Sequence, residues 1–156
     1  MAFLRKNNKF LLFTRKVHFG DTDAAGVIHF HNLFRWAHEA WEQSLEAYGL
    51  DVVDIFPGCK GNDENPDIAL PIRKCQAEFF SPIRTGDKLD VLLEPAKIDS
   101  MSFNVLFKFT MQNRLKASAL INHIAINTKT RKCCKLPQEI ELWLEESSLD
   151  GLIRPL

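Results

Sequence analysis

Hydrophobic and polar residues alternate with a period of two along several stretches of the chain, and this period predicts β-strands. The first stretch covers residues 10–19, and four more follow at residues 68–80, 88–98, 102–111 and 117–127. In residues 102–111 the alternation is strict, with Phe103, Val105, Phe107, Phe109 and Met111 on one parity. Because short connections separate the last four stretches, we expect antiparallel pairing.

A helical period of three and four residues begins at Phe30 and predicts one long helix over residues 30–48. Gly49 suits the residue after that helix, because a left-handed C-terminus favours a residue without Cβ. The apolar stripe is wide, so we expect the helix to lie deep in the protein. Pro137 begins a short C-terminal helix. Residues 57–67 lack an apolar period and predict either a plain surface loop or a flap over a site.

This order of elements predicts an α+β fold in which one long helix packs on a five-stranded antiparallel sheet, with a short C-terminal helix. The 156 residues suit one compact domain that spans residues 1–156. The helix covers one face of the sheet, and we expect the Phe-rich parity to lie on the other face, covered by a partner subunit. The sequence therefore favours a homodimer or a homotetramer.

Composition narrows the class of protein. The formal net charge is zero, with 20 basic and 20 acidic residues, so no general attraction to nucleic acid or an anionic membrane is expected. No apolar run reaches the roughly 20 residues of a membrane span, and the run at residues 10–13 is too short for a signal peptide, which favours a cytoplasmic protein. The four cysteines form no C-x-x-C pair and are expected to be reduced thiols.

The segment Asp21-Thr22-Asp23-Ala24-Ala25-Gly26, between the first strand and the long helix, is the most unusual local feature. From its residues alone it is most simply an Asp-rich turn whose side chains bond to nearby amides. A calcium loop fails because Asn32 stands where a bidentate Glu is needed. A zinc helix fails because Glu42 stands where the second histidine of His-Glu-x-x-His is needed. We therefore expect no metal site.

Residues 17–30, Val-His-Phe-Gly-Asp-Thr-Asp-Ala-Ala-Gly-Val-Ile-His-Phe, closely resemble the signature of the 4-hydroxybenzoyl-CoA thioesterase family. The similarity continues at residues 32–42, 77–82, 86–87, 122–124 and 136–137. This resemblance implies the hotdog fold, a long central helix wrapped by an antiparallel sheet, assembled as dimers or tetramers. Within the family the segments are most similar to the branch that hydrolyses 1,4-dihydroxy-2-naphthoyl-CoA to 1,4-dihydroxy-2-naphthoate and CoA, toward phylloquinone and menaquinone.

The resemblance also implies roles for individual residues. The second carboxylate of the motif is catalytic in the family and corresponds to Asp23, whereas Asp21 would brace the turn. The backbone N–H of Phe30 would bind the thioester carbonyl, with Gly26 permitting close approach. His29 stands where the family more often has Tyr or Trp, and is expected beside the substrate. No cofactor is implied, because coenzyme A is part of the substrate.

Two other functions are compatible with the same resemblance. The first is hydrolysis of another thioester, such as 4-hydroxybenzoyl-CoA or a short acyl-CoA. The second is a non-catalytic hotdog module that binds acyl thioesters or only scaffolds partners. An intact Asp23 argues against the second, since a binding module has no need of a placed carboxylate.

Overall fold

The computed structural model describes residues 10–61 and 65–149, and their backbone forms a five-stranded antiparallel sheet with the long helix on one face. The elements in chain order are β1 (Leu12–Lys16), α1 (Phe30–Tyr48), α2 (Val52–Ile55), β2 (Ile68–Ala69), β3 (Ile72–Phe79), β4 (Lys88–Lys97), β5 (Ser102–Met111), β6 (Arg114–Ile124), β7 (Ile126–Asn127) and α3 (Gln138–Leu149). The sheet order is β1-β4-β5-β6-β3, while β2 and β7 form a separate antiparallel pair. The predicted α+β architecture is confirmed.

Helix α1 covers the predicted residues and ends as its sequence requires. Gly49 adopts φ 109°, and its N–H donates to the Glu46 carbonyl at 3.0 Å. The Leu50 N–H closes the same terminus on the Leu45 carbonyl at 3.0 Å, which is a left-handed helix end. The prediction of a deep helix is confirmed by its buried residues, which are Asn32, Leu33, Trp36, Ala37, Ala40, Trp41, Ser44 and Leu45.

The Phe-rich parity of β5 lies under α1 and not on the opposite face of the sheet. Phe103, Phe107 and Phe109 are fully buried, and the Phe109 ring centroid lies 6.5 Å from that of Trp36 on α1. The expectation that a partner subunit covers these phenylalanines was therefore wrong. The opposite parity of β5 instead carries Asn104, Leu106, Lys108 and Thr110, all partly buried.

Helix α3 explains how one chain covers so wide an apolar surface. Its Trp143 is fully buried, with the ring centroid 6.2 Å from that of Phe103. The Trp143 Nε1–H donates to Ser44 Oγ of α1 at 3.0 Å, which satisfies two buried polar groups at once. Two helices therefore share the inner face of the sheet.

Several strand limits differ from the predicted ones for local reasons. Residues 68–80 divide into β2 and β3 at Pro71, which has no N–H for a sheet hydrogen bond. Strand β6 begins at Arg114 because Gln112 and Asn113 have φ of 51° and 63°, which suits a two-residue hairpin. Strand β1 stops at Lys16, since the chain enters a 3-10 turn at Phe19–Asp21.

The predicted loop at residues 57–67 is only partly described. Residues 57–61 and 65–67 form neither helix nor strand, and positions 62–64 lie outside the described residues. The short helix α2 just before the loop was not predicted. Asp51 caps it, because its Oδ1 accepts from the Val53 N–H at 3.0 Å. A flap function for the loop stays a prediction.

A fully buried histidine, His123 of β6, lies within the aromatic part of the core. Its Nδ1 bonds to the Leu70 carbonyl at 2.9 Å, which places the proton on Nδ1. The ring stacks on Phe103 with centroids 5.0 Å apart and lies 4.3 Å from the ring of Trp41. Burial lowers the pKa of His123 to about 4, although the bond to the Leu70 carbonyl acts in the opposite direction.

This buried histidine predicts acid sensitivity. The pKa of His123 is lowered on folding, from 6.5 to about 4, so below pH 6.5 the unfolded chain binds a proton that the native protein excludes. Stability is therefore complete above pH 6.5 and is lost as the pH falls toward 4. We expect the free energy of unfolding to drop by about 2 kcal/mol between pH 7 and pH 5 in urea titrations. In His123→Gln the free energy of unfolding should depend less steeply on pH. An unchanged dependence would contradict the assignment of the acid sensitivity to His123.

Candidate active site

The chain between β1 and α1 folds into a tight hairpin that exposes Asp23. An antiparallel bridge joins Thr22 to Ile28, and the Asp23 N–H donates to the Val27 carbonyl at 2.8 Å. Gly26 closes the hairpin through its N–H to the Asp23 carbonyl at 3.0 Å, with a φ of 79° that side chains rarely adopt. The Asp23 Oδ1 accepts from the Ala25 N–H at 2.8 Å, so the carboxylate is oriented while its second oxygen stays free within the described residues.

Asp21, unlike the exposed Asp23, is buried, and it fixes the hairpin to α1. Its Oδ2 accepts from the His18 N–H at 2.9 Å, and its Oδ1 accepts from Arg35 Nη2 at 3.0 Å. Its carbonyl accepts from the His29 N–H at 3.0 Å and from Asn32 Nδ2 at 2.7 Å. A residue whose carboxylate and carbonyl both bind neighbouring segments is suited to bracing the turn, which is the role expected of Asp21.

Arg35 extends this bracing through a chain of charges on the surface of α1. Its Nε lies 4.0 Å from Glu39 Oε1, and Glu39 also pairs with Arg15 of β1. The Arg15 guanidinium in turn lies 5.1 Å from the ring centroid of Trp36. The Asp21 carboxylate is thereby linked to both the helix and the first strand.

A groove of about 480 Å³ lies between this hairpin, the start of α1 and the end of β3. Of its nine lining residues, only Asp23 and Ser81 carry polar side chains. Phe30, Phe79 and Phe80 line the same groove and are 63%, 45% and 54% exposed. Because a cluster of exposed aromatic side chains commonly marks a binding surface, the groove is the strongest candidate site in the described structure.

The first turn of α1 begins beside this groove and leaves one backbone N–H without an acceptor among the described residues. Helix N-termini leave their first N–H groups without intrahelical acceptors. The His31 N–H is used by His29 Nδ1 at 3.4 Å and the Asn32 N–H by the His29 carbonyl at 3.0 Å. The Phe30 N–H has no acceptor among the described residues. Asp23 and Phe30, the pair singled out from the sequence, therefore line one groove.

The other two candidate residues lie beside the groove without lining it. Gly26 is exposed and serves the hairpin, while His29 is half-buried and caps α1. The His29 ring centroid lies 4.6 Å from that of Phe30, so it contacts a groove residue directly. Substrate binding by Gly26 and His29 stays a prediction.

The rest of the described structure offers weaker candidates. In residues 10–61 and 65–149 no group of three His, Cys, Asp or Glu side chains is arranged to hold a metal ion. A second depression of about 480 Å³ lies near the C-terminal end of α1, but it contains no residue of the Asp21–Gly26 motif. No helix in the described segments is long and apolar enough to cross a membrane.

The chain belongs to the thioesterase-like superfamily, whose family model matches residues 17–144. It is 54% identical over 139 residues to the 1,4-dihydroxy-2-naphthoyl-CoA hydrolase of Prochlorococcus marinus (strain MIT 9313), covering 89% of this chain and 92% of the relative. It is 49% identical over 150 residues to the hydrolase of the same name from Synechococcus sp. (strain WH7803), covering 96% and 97% of the two chains.

A solved structure agrees with these relatives. The crystal structure of a 1,4-dihydroxy-2-naphthoyl-CoA thioesterase from Synechocystis matches with a TM-score of 0.75 and 27% identity, over 87% of this chain and 96% of that one. The hotdog fold and the thioesterase class of enzyme, both implied by the resemblance of residues 17–30, are confirmed.

Proposed function

We propose that this chain hydrolyses 1,4-dihydroxy-2-naphthoyl-CoA to 1,4-dihydroxy-2-naphthoate and coenzyme A. The observation that carries the proposal is the groove that brings the Asp23 carboxylate and the start of α1 together with exposed aromatic side chains. Relatives of that activity, about half identical over nearly the whole chain, support the same substrate. The product would enter phylloquinone or menaquinone biosynthesis.

The Phe30 N–H would stabilise the charge that develops during the reaction. Attack on a thioester carbonyl carbon places negative charge on the carbonyl oxygen. A free amide at a helix N-terminus, with the positive end of the helix dipole behind it, is preorganised to bind that oxygen. Because the amide belongs to the rigid backbone of α1, little reorganisation is needed during the reaction.

The Asp23 carboxylate would start the attack by one of two routes. In the first, an oxygen of Asp23 attacks the carbonyl carbon, the C–S bond breaks, and water then hydrolyses the mixed anhydride. In the second, Asp23 takes a proton from a water molecule whose oxygen attacks the same carbon. In both routes coenzyme A leaves as a thiolate, a good leaving group that requires little acid assistance. No metal or separate cofactor is part of the proposal.

The test of the proposed function is thiol release from a panel of coenzyme A esters. We expect the dihydroxynaphthoyl ester to have the highest kcat/KM, above 4-hydroxybenzoyl-CoA and hexanoyl-CoA. Preference for the hydroxybenzoyl or the straight-chain ester would contradict the proposed substrate but would still agree with a thioesterase. Absence of hydrolysis of every ester, with binding retained, would instead support a non-catalytic acyl-thioester module.

We further propose that the chain works in the cytoplasm as a homo-oligomer, either a homodimer or a homotetramer. Strand β3 supports an assembly because it ends the sheet, and seven of its eight residues are exposed. Arg73 and Lys74 lie near its start and Glu78 near its end. Antiparallel pairing of two copies along this edge would therefore bring opposite charges together.

A further inference from the structure

Ser81 is the uncharged polar residue of the groove, and it is held by one neighbour through two bonds. Its Oγ accepts from Lys116 Nζ of β6 at 3.2 Å, and its backbone N–H donates to the Lys116 carbonyl at 3.2 Å. The Phe80 N–H donates to that same carbonyl at 2.8 Å. Two consecutive residues thus oppose one residue of β6, a bulge-like bend that changes the direction of side chains at the end of β3.

We propose that Ser81, positioned by Lys116, recognises an oxygen on the ring of a flat aromatic acyl group, and that Phe79 and Phe80 supply the surface on which that ring lies. This inference rests on the proposed function and names the residues that would select its substrate. It concerns the acyl group alone and assigns no role in bond cleavage to Ser81.

The direction of the Ser81 hydrogen bond decides what it can recognise. A lysine ammonium only donates, so Ser81 Oγ acts as the acceptor toward Lys116. The hydroxyl proton of Ser81 is then available to an acceptor in the groove, and the charge of Lys116 strengthens that donor. A ring hydroxyl oxygen accepts such a bond, whereas a hydrocarbon chain leaves the serine unpaired, which costs binding free energy.

The aromatic part of this subsite follows from the side chains around Ser81. Phe79 lies opposite Ala117 of β6, a small and fully buried partner on the inner face of the sheet. Phe79 and Phe80 nevertheless remain about half exposed at the groove. Aromatic faces bind another flat ring through stacked or edge contacts, which a flexible acyl chain cannot make.

The experiment compares kcat/KM for dihydroxynaphthoyl-CoA, 2-naphthoyl-CoA and octanoyl-CoA. We expect Ser81→Ala to lower the value for the dihydroxy ester about fivefold and to leave 2-naphthoyl-CoA within about twofold. Lys116→Met should also lower kcat/KM for the dihydroxy ester and spare 2-naphthoyl-CoA. Lys116→Arg keeps a donor that can position Ser81, so it should retain the wild-type selectivity. Phe80→Leu should lower kcat/KM for both naphthoyl esters about fivefold and leave the value for octanoyl-CoA unchanged.

Two control variants separate this effect from a loss of structure. Ser118→Ala removes a half-buried hydroxyl on the outer face of β6, and Leu142→Ala shortens an exposed side chain of α3. Both should leave all three values unchanged, with circular dichroism and melting temperature recorded for every variant. Equal losses on the three esters in Ser81→Ala, or no loss, would overturn the subsite.

Failure of the proposed function would be seen separately, as a wild-type protein that cleaves no naphthoyl ester. In that case the subsite is tested by calorimetric binding of 1,4-dihydroxy-2-naphthoate and 2-naphthoate to the wild-type protein. Tighter binding of the dihydroxy acid that is lost in Ser81→Ala would support the subsite. Equal binding of the two acids would overturn it.

Discussion

Asp23→Asn is expected to lower kcat for thioester hydrolysis by about a thousandfold, the effect of removing a positioned acid–base or nucleophilic group. The fold should be unaffected, because an asparagine Oδ1 can still accept the Ala25 N–H that Asp23 binds at 2.8 Å. The neutral amide neither attacks the carbonyl carbon nor takes a proton from water. Stopped-flow thiol release and the melting temperature are the two measurements.

The matched control for this change is Asp51→Asn. Asp51 is also exposed, and its Oδ1 accepts the N–H of the residue two positions on, Val53, at 3.0 Å. It lies outside the groove, so the same chemical change in the same local geometry should leave kcat intact. Wild-type turnover in Asp23→Asn would remove Asp23 from the mechanism, whichever ester is used.

Phe30→Pro is expected to lower kcat about a hundredfold, the typical effect of deleting one donor to a developing oxyanion. Proline has no N–H but is well tolerated at the first position of a helix. The preceding residue is suited to it as well, because His29 has φ −70° and ψ 137°, the extended conformation that proline requires before it. The substitution should therefore remove one hydrogen-bond donor while α1 still begins at the same residue.

Phe30→Leu separates the backbone of this position from its side chain. It keeps the N–H and loses the aromatic ring, so kcat should fall far less than in Phe30→Pro. Equal losses in the two variants would mean that the side chain matters and the amide does not. Rates are compared at saturating substrate, since a change confined to KM would indicate weaker binding of the ester rather than loss of charge stabilisation.

The elements that the sequence predicted best are those whose pattern and end signals agree. Helix α1 combines a helical period with Gly49, and strand β5 has a strict alternation bounded by short turns. The faces of the sheet were harder to assign. The Phe-rich parity of β5 was assigned to the wrong face, because periodicity places residues on one face without saying which helix lies there. The cover of this face depends partly on α3, because Trp143 donates a hydrogen bond to Ser44 and packs against the ring of Phe103.

In the candidate site, too, residues close in sequence were predicted and contacts between distant residues were not. Asp23 and Phe30 belong to one continuous signature, and the structure places both at one groove. Ser81 and Lys116 were not predicted, because their contact joins residues 35 positions apart and depends on the register of β3 with β6. Asn32 was also missed as a support for Asp21, although a polar residue in the first turn of an apolar helix was an available signal.

The lining of the groove comes from two separate stretches of sequence, residues 23–30 and residues 79–83. In the proposed reaction, the first stretch carries the reactive carboxylate and the helix amide, and the second carries the surface for the acyl group. The Ile28 N–H joins the two stretches through its bond to the Ile83 carbonyl at 2.9 Å, while Asp21 anchors the first stretch to α1 and Lys116 anchors the second to β6. Under the proposed roles, side-chain substitutions at residues 79–83 would change the preferred acyl group, while the backbone bond between Ile28 and Ile83 keeps the carboxylate and the helix amide in place.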